Sequence, residues 1–292
     1  MTMRLLRLLL VAFVLLAACG DGDADVASDD DGPTSTGGGS VADESTVYET
    51  TATVLESPGH GPQLCLGGVA ESYPPQCGGP GIVGWDWSTV EGESANGTTW
   101  GTYSLTGTWD GETFTVTGPV AEPGPFDDGG PTDFSTPCDE PEGGWTVVDE
   151  ATANDAGFAA AQEYAQGQPD FGGLWVDQSI NPASGEFGMN DPTKLILNVK
   201  FTGDLERHEA ELRDRFGGPL CVVETDRTEA ELRRLQDDLY DELDAHFASV
   251  DIVRGVVEFG VVVADPTLQA ELDDAHGPGV VELIGSLRPV DG

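Results

Sequence analysis

Cysteine and histidine have the most specific chemistry of any side chains in this sequence, and both are scarce. The chain of 292 residues has five cysteines and four histidines. No Cys-x-x-Cys pair is present and no histidine lies at ligand spacing from a cysteine, so no zinc or other metal site is predicted. No Gly-x-Ser-x-Gly motif accompanies the histidines, so the sequence identifies no catalytic residue. The histidines are His60, His208, His246 and His276.

Two short motifs match ligand-binding loops by their letters alone. The run Gly79–Gly84 has the spacing of a dinucleotide-binding fingerprint, but Pro80 interrupts it and no helical pattern follows it. The acidic run from Asp21 begins like a calcium-binding loop, but Val26 stands where such a loop requires glycine. We therefore expect no cofactor.

Carboxylates are so abundant that their pairing carries no information. The 53 Asp and Glu residues against 12 Lys and Arg residues give a formal net charge of −41. Acid pairs, as used by glycosidases, are inevitable at this density. The charge disfavours binding to nucleic acid or to anionic surfaces. The preferred interpretation is a solvated, self-repelling surface; adaptation to salt and loose binding of divalent cations are alternatives.

Aromatic side chains form the one constellation that could bind a ligand. Trp85 and Trp87 alternate within a strand predicted from Ile82 to Trp87, and Trp100, Tyr103 and Trp109 follow on neighbouring predicted strands. Exposed rings could stack on sugars or grip a peptide, whereas buried rings would form the core of a domain with few aliphatic residues. The core interpretation is favoured, because aromatic residues are common in sheet cores.

The N-terminus has the layout of an export signal. Two arginines precede an apolar run, Leu8–Ala18, that ends at Cys19. This run is shorter than the roughly 20 residues that a helix needs to cross a bilayer. Its end, Leu16-Ala17-Ala18-Cys19, resembles the lipobox of bacterial lipoproteins. The resemblance implies removal of residues 1–18 and a diacylglycerol on the Cys19 thiol; a plain cleaved signal and an uncleaved anchor are the alternatives.

The four other cysteines predict two disulfides, because their number is even and export leads to an oxidising compartment. Three pairings are open. Proximity in sequence favours Cys65 with Cys77, which leaves Cys138 with Cys221 to tie a loop to the C-terminal half.

Two further segments are similar to secreted proteins of high-GC Gram-positive bacteria. The first begins at Leu64-Cys-Leu-Gly, includes Glu71-Ser-Tyr-Pro-Pro-Gln-Cys77 and ends at Gly84-Trp-Asp-Trp87, and the second is Pro219-Leu-Cys-Val222. This resemblance implies export and paired cysteines, and it implies no activity.

Composition divides the chain into five segments. Residues 1–18 form the signal peptide, and residues 19–44, which are mostly Asp, Gly, Ser and Thr, form an acidic flexible tether. Residues 45–120 form a β domain, residues 121–150 a Pro/Gly-rich connection, and residues 151–292 an α/β domain.

The β domain is predicted from short runs rich in Thr, Val and aromatic residues. Val47–Leu55 is one strand, and Asp110-Gly111 joins Thr102–Trp109 to Glu112–Val116 as a hairpin. About five strands without helical periodicity predict a small antiparallel β-barrel or sandwich, which is OB-like by analogy.

The C-terminal half alternates helices with strands. Two helices are predicted at 151–166 and 204–216. A third begins at the capping box of Thr228 and Glu231 and continues through leucines at helical spacing to Phe247. A fourth runs from Pro266 to Gly277. Strands are predicted at 174–178, 195–201, 219–224, 253–263 and 280–287. This alternation predicts an α/β layer domain, so the fold class of the whole chain is α+β.

These features predict a membrane-anchored extracytoplasmic lipoprotein that acts as a non-catalytic binding or envelope-accessory protein. Its expected partners are the membrane, through the lipid on Cys19, and a cell-wall glycan, a peptide or an envelope protein. The alternative is an envelope hydrolase with an unrecognised acidic site.

Overall fold

The computed structural model describes residues 46–124, 132–182 and 189–290. The predicted signal peptide, Cys19 and the acidic tether lie outside these ranges. Within them the chain has four α-helices and thirteen β-strands, which confirms the α+β class.

The N-terminal part is a β module whose strands pair in a continuous series. β1 pairs antiparallel with β2 and with β5, β2 pairs with β3, β3 runs parallel to β6, and β6 pairs with β5. The series β1–β2–β3–β6–β5 therefore returns to β1, and β4 extends the edge of β5. The strands are β1 (Val47–Ser57), β2 (His60–Cys65), β3 (Gly81–Val83), β4 (Glu93–Ala95), β5 (Thr98–Trp109) and β6 (Thr113–Val116).

Alternation along the strands builds the core of this module. Successive side chains of a strand point to opposite faces, and Tyr48, Ala52 and Val54 of β1 face inward with Tyr103 and Leu105 of β5. Their outward neighbours are mostly threonines. The predicted hairpin at Asp110-Gly111 is confirmed, because Trp109 pairs with Phe114 across it.

A first repeat follows, in the order helix, strand, strand, helix, strand. β7 is antiparallel to β8, and β8 is parallel to β9. Helices α1 and α2 cover one face of this three-stranded sheet and enclose the core side chains of β8, with Leu212 and Phe216 fully buried. The elements are α1 (Asp155–Gln166), β7 (Phe171–Asp177), β8 (Ile196–Phe201), α2 (Leu205–Arg213) and β9 (Leu220–Glu224).

A second repeat has the same order and the same pairing. β10 is antiparallel to β11, β11 is parallel to β12, and α3 and α4 cover one face. The central strand of the second repeat starts 60 residues after that of the first, at Val256 rather than Ile196. The elements are α3 (Glu229–Tyr240), β10 (Phe247–Asp251), β11 (Val256–Val261), α4 (Pro266–His276) and β12 (Val281–Gly285).

The second repeat is joined to the β module through the end of the chain. β13 (Arg288–Pro289) pairs with β1, and Leu287 is buried in the core of the β module. Val262 and Val263 pack against the same core. The described residues thus belong to one compact unit.

Three local predictions are wrong for identifiable backbone reasons. The strand predicted from Ile82 to Trp87 ends at Val83, because Gly84 turns the chain at φ +79°, and Trp87 opens a short 3-10 helix.

The helix predicted to reach Phe247 ends at Tyr240, and Phe247 is instead the first residue of β10. Likewise, the strand predicted at 253–263 begins only at Val256. The residues before it form the turn of a β10–β11 hairpin, in which Gly255 has φ +74°. By contrast, the capping box of Thr228 and Glu231 is confirmed.

Candidate functional site: a cleft on the second repeat

A cleft of about 630 Å³ lies between the outer surface of the β1–β5 pair and the second repeat. Its volume is in the range of small-molecule sites. One wall is formed by β1 and β5, the opposite wall by β10, β11 and β12, and the segment from Leu66 to Val69 closes one side.

The β1–β5 wall carries a row of hydroxyl groups. Thr51 and Thr53 point outward from β1, opposite Ser104 and Thr102 of β5 in register. The Oγ1 of Thr51 lies 3.0 Å from the Oγ of Ser104, and the Oγ1 of Thr53 lies 3.0 Å from the Oγ1 of Thr102. The Oγ of Ser104 also accepts a hydrogen bond of 2.9 Å from the amide of Gly124. The row is therefore held in place by its own hydrogen bonds.

The opposite wall is more apolar. Phe247 and Ile284 are 39% and 37% exposed and both line the cleft. Phe247 pairs with Gly260 across β10 and β11, and a Cβ on Gly260 would lie 2.0 Å from its ring. The ring thus covers the bare glycine with one face, which fixes its orientation.

The charged side chains of the cleft have partners of opposite sign or hydrogen-bond donors. Glu49 lies directly opposite Arg288 in the β1–β13 pair. Glu258 accepts a hydrogen bond of 2.8 Å from Ser249 and lies 3.5 Å from the guanidinium of Arg254. The cleft is consequently polar but close to electrically balanced.

A hydrogen-bonded bridge at the end of the cleft links the β module to the second repeat. The Oγ of Ser286 lies 2.9 Å from the Nε2 of His246 and 3.3 Å from the carbonyl oxygen of Leu66. Burial lowers the pKa of His246 and outweighs the opposing effect of the Asp244 charge, which favours the neutral imidazole. If Nε2 carries the proton, it donates to the hydroxyl of Ser286, and this hydroxyl donates to the carbonyl oxygen of Leu66. Both short distances are then hydrogen bonds.

The same pair has the spacing of a nucleophile and its base. In that role Ser286 must give its only proton to His246, which leaves the contact with Leu66 unused. In the described part of the chain, His246 Nδ1 has no carboxylate partner to orient the ring. The geometry therefore favours the bridge over a catalytic pair.

A second polar cluster, in the first repeat, is structural. His208 is fully buried; its Nδ1 lies 2.9 Å from the hydroxyl of Tyr164 and its Nε2 lies 2.8 Å from Asp170. The ring stacks on Phe201. Burial raises the pKa of Tyr164. This cluster ties α1, α2 and the start of β7 together.

On the outer sheet face of the first repeat, the strap segment, residues 132–138, lies where the second repeat has its cleft. The backbone amide of Thr136 donates to Asp177 at 2.8 Å, and its hydroxyl donates to Asn198 at 2.5 Å. Trp175 donates to the carbonyl of Phe134 at 3.1 Å. The disulfide from Cys138 to β9 completes the crossing from β7 to β9.

Both predicted disulfides are confirmed. Cys65 is bonded to Cys77, and Cys138 is bonded to Cys221. The first closes the loop between β2 and β3, and the second fastens the strap segment.

The structure separates the predicted aromatic residues into two groups. Tyr103 and Trp109 are each 7% exposed and lie in the core of the β module. Burial, together with the charge of Glu122, raises the pKa of Tyr103.

Trp85 and Trp87 pack against this core at its edge, where the indole of Trp87 donates to Glu56 at 2.6 Å. Trp100 is partly buried and meets the exposed ring of Tyr73 edge to face.

None of the predicted aromatic residues lines the cleft, and none of the residues that line it is a predicted ligand-binding residue. The threonines of β1 fit the pattern of a strand, and the leucine spacing predicts a helix that includes Phe247. An alternation of Thr with apolar residues on two paired strands was the available signal, but it does not reveal what faces the threonines.

No protein-family model matches this chain, and no curated protein matches it. Within the described residues, no helix is long and apolar enough to cross a membrane. Over the same ranges, no group of three or more His, Cys, Asp or Glu side chains is arranged to hold a metal ion.

Proposed function

We propose that this protein is an extracytoplasmic lipoprotein that is anchored through a lipid on Cys19 and binds an envelope ligand in the cleft without catalysis. The lipobox resemblance at Leu16–Cys19 supports the anchor. The two disulfides support an oxidising compartment. The observation that carries the binding role is the cleft on the outer sheet face of the second repeat. The strap segment covers the equivalent face of the first repeat.

We also propose that the β module is an OB-like barrel of five strands. The closed series of pairings supports this, as does the parallel pair of β3 and β6 within an otherwise antiparallel set. Fold alone assigns no ligand, so the cleft and not the barrel supports the binding role.

The anchor is tested by replacing Cys19→Ser and following the protein in a detergent partition assay. We expect the variant to leave the membrane fraction, because an attached acyl chain contributes about 0.8 kcal/mol for each methylene group in the bilayer. A matched control adds Ser28→Cys to that variant, which restores a thiol outside the lipobox and should not restore anchoring. A Cys19→Ser protein that stays in the membrane would establish an uncleaved anchor instead.

The binding role is tested by sedimentation with isolated cell-wall and envelope fractions. Phe247→Arg places a charged side chain in the cleft and should abolish co-sedimentation. Val83→Arg, at an exposed position of β3 outside the cleft, is the control and should sediment like the parent protein. Equal sedimentation of both variants would refute the cleft as the binding site.

An envelope hydrolase is the second candidate, and the hydrogen bond between Ser286 and His246 is the observation that favours it. It requires Ser286 as the nucleophile, so a fluorophosphonate probe should label the protein and fail to label Ser286→Ala. Absence of labelling in the parent protein would leave the binding role without this rival.

A further inference from the structure

We infer that the ligand of the cleft is an uncharged saccharide, with its hydroxyl groups on the β1–β5 wall and one face of its ring against Phe247. This inference rests on the proposed binding role of the cleft. It adds the chemical class of the ligand and the way in which the ligand lies.

The β1–β5 wall can bind a ligand only through its side chains. β1 is paired on one side with β2 and on the other with β5, and β5 is paired with β1 on one side and with β6 and β4 on the other. An extended peptide therefore cannot add to this wall as a further strand, because strand addition requires an unpaired edge.

The hydroxyl row fits a ligand that both donates and accepts hydrogen bonds. Each threonine or serine hydroxyl has one proton and two lone pairs. Thr51 shares one hydrogen bond with Ser104, and Thr53 shares one with Thr102. Thr51, Thr53 and Ser104 line the cleft and keep further hydrogen-bonding capacity. A saccharide edge, with several hydroxyls that donate and accept, matches such a row.

The apolar wall fits the other side of a sugar ring. The ring of Phe247 is held against Gly260 and is 39% exposed, and Ile284 lies beside it on the neighbouring part of the sheet. The C–H face of a pyranose is apolar and gains free energy when such a surface removes it from water. A cleft with hydroxyls on one wall and an aromatic ring on the other thus matches both sides of a sugar.

The charges favour an uncharged ligand. The cleft's Glu49 is opposite Arg288, and its Glu258 is held by Ser249 and Arg254. An anionic ligand would also meet the field of a protein with a formal net charge of −41.

The test is calorimetric titration of the Cys19→Ser chain with a panel of neutral hexoses, N-acetylhexosamines and their tetramers. We expect binding of a neutral member and weaker binding of a uronic acid tetramer. Thr51→Val with Thr53→Val removes two hydroxyls at nearly unchanged shape and should weaken binding by about five- to tenfold for each hydroxyl. Phe247→Ala should weaken it further.

Thr99→Val is the matched control. Its hydroxyl lies 2.9 Å from that of Ser94 at an exposed site, and Thr99 does not line the cleft, so the affinity of this variant should equal that of the parent chain. If no neutral saccharide binds but wall peptides bind in a way that Phe247→Arg abolishes, the saccharide inference is wrong and the binding role remains. If no envelope fraction binds at all, the binding role itself is wrong.

Discussion

The two repeats bury the helix-covered face of their sheets alike, and they differ on the opposite face. Leu212 of α2 and Leu272 of α4 are buried at matching positions, each against the central strand of its own repeat. On the outer face of the first repeat, Asn198 of the central strand pairs with Trp175 and Cys221 of the flanking strands. At the equivalent positions of the second repeat, Glu258 pairs with Ser249 and Glu282.

These differences between the repeats determine what covers the outer face of each sheet. The first repeat presents partners for the strap segment and is sealed by it. In the second repeat, Arg254 reaches across the sheet to Glu258 and Glu282, and the rest of the face opens into the cleft. One architecture thus yields a sheet face that is covered in the first repeat and one that opens into the cleft in the second.

The repeats also differ inside the helix layer. His208 of α2 lies one helical turn before Leu212, as Leu268 of α4 lies one turn before Leu272. The first repeat therefore holds a buried polar cluster at the position where the second packs Leu268 against its apolar core.

The largest effect is expected from removing the disulfide that fastens the strap segment. Cys138→Ser with Cys221→Ser opens a cross-link between residues 83 apart, and loop entropy predicts a loss of about 4.5 kcal/mol in unfolding free energy. Cys65→Ser with Cys77→Ser is the control. It opens a separation of only 12 and should cost about 3 kcal/mol. Urea denaturation measures both, and a larger loss in the control would contradict a sealed first repeat.

A smaller loss of stability is expected when His208 is replaced by leucine, the residue at the equivalent position of the second repeat. His208→Leu leaves Asp170 and the hydroxyl of Tyr164 without their shared partner, and we expect a loss of about 2 kcal/mol in unfolding free energy. Adding Asp170→Ala should recover part of this loss, because it removes the carboxylate that has lost its hydrogen bond from His208. Equal stability of His208→Leu and the parent protein would show that the cluster is not structural.

The same cluster predicts how the unfolding free energy depends on pH, which gives a second test of its structural role. Burial alone would raise the pKa of Asp170, but the hydrogen bond from His208 and the charge of Arg207 outweigh it, so that this pKa lies below its ordinary value of 3.8. The resulting stability is present above pH 3.8 and is lost as the pH falls through the lowered pKa. Asp170→Asn should therefore lose less stability on acidification than the parent protein.

The smallest effect is expected at the outer face of the second repeat. Arg254→Met removes the cation from between Asp251, Glu258 and Glu282. Because the guanidinium is partly exposed, solvent screening limits the loss to about 1 kcal/mol. The loss should shrink at high ionic strength, where repulsion among the carboxylates is screened. Thermal unfolding at two salt concentrations measures it, and a loss independent of salt would indicate lost packing instead.

Features set by neighbouring residues could be predicted from the sequence. The capping box at Thr228, the Asp110-Gly111 hairpin and the proline at the start of α4 each depend on a few adjacent residues, and all three are confirmed. The disulfides required only an even count and proximity in sequence.

The duplication and the cleft depend on distant pairings. A signal for the duplication exists: Glu211-Leu212 and Glu271-Leu272 recur 60 residues apart, each followed by a turn of glycine and proline. It is weak because most other residues differ. The cleft forms only because β13 returns to β1, and the cluster at His208 needs Asp170 from another element. Sequence periodicity contains no information on either contact.

The central claim is that the cleft on the second repeat, and not the aromatic surface of the β module, binds the ligand. Amide chemical-shift mapping of the Cys19→Ser chain during titration with solubilised wall glycan tests it most directly. We predict shifts confined to Thr51, Ser104, Phe247, Ile284 and their neighbours around the cleft. Shifts centred on Trp100 and Tyr73, or on the first repeat, would contradict it.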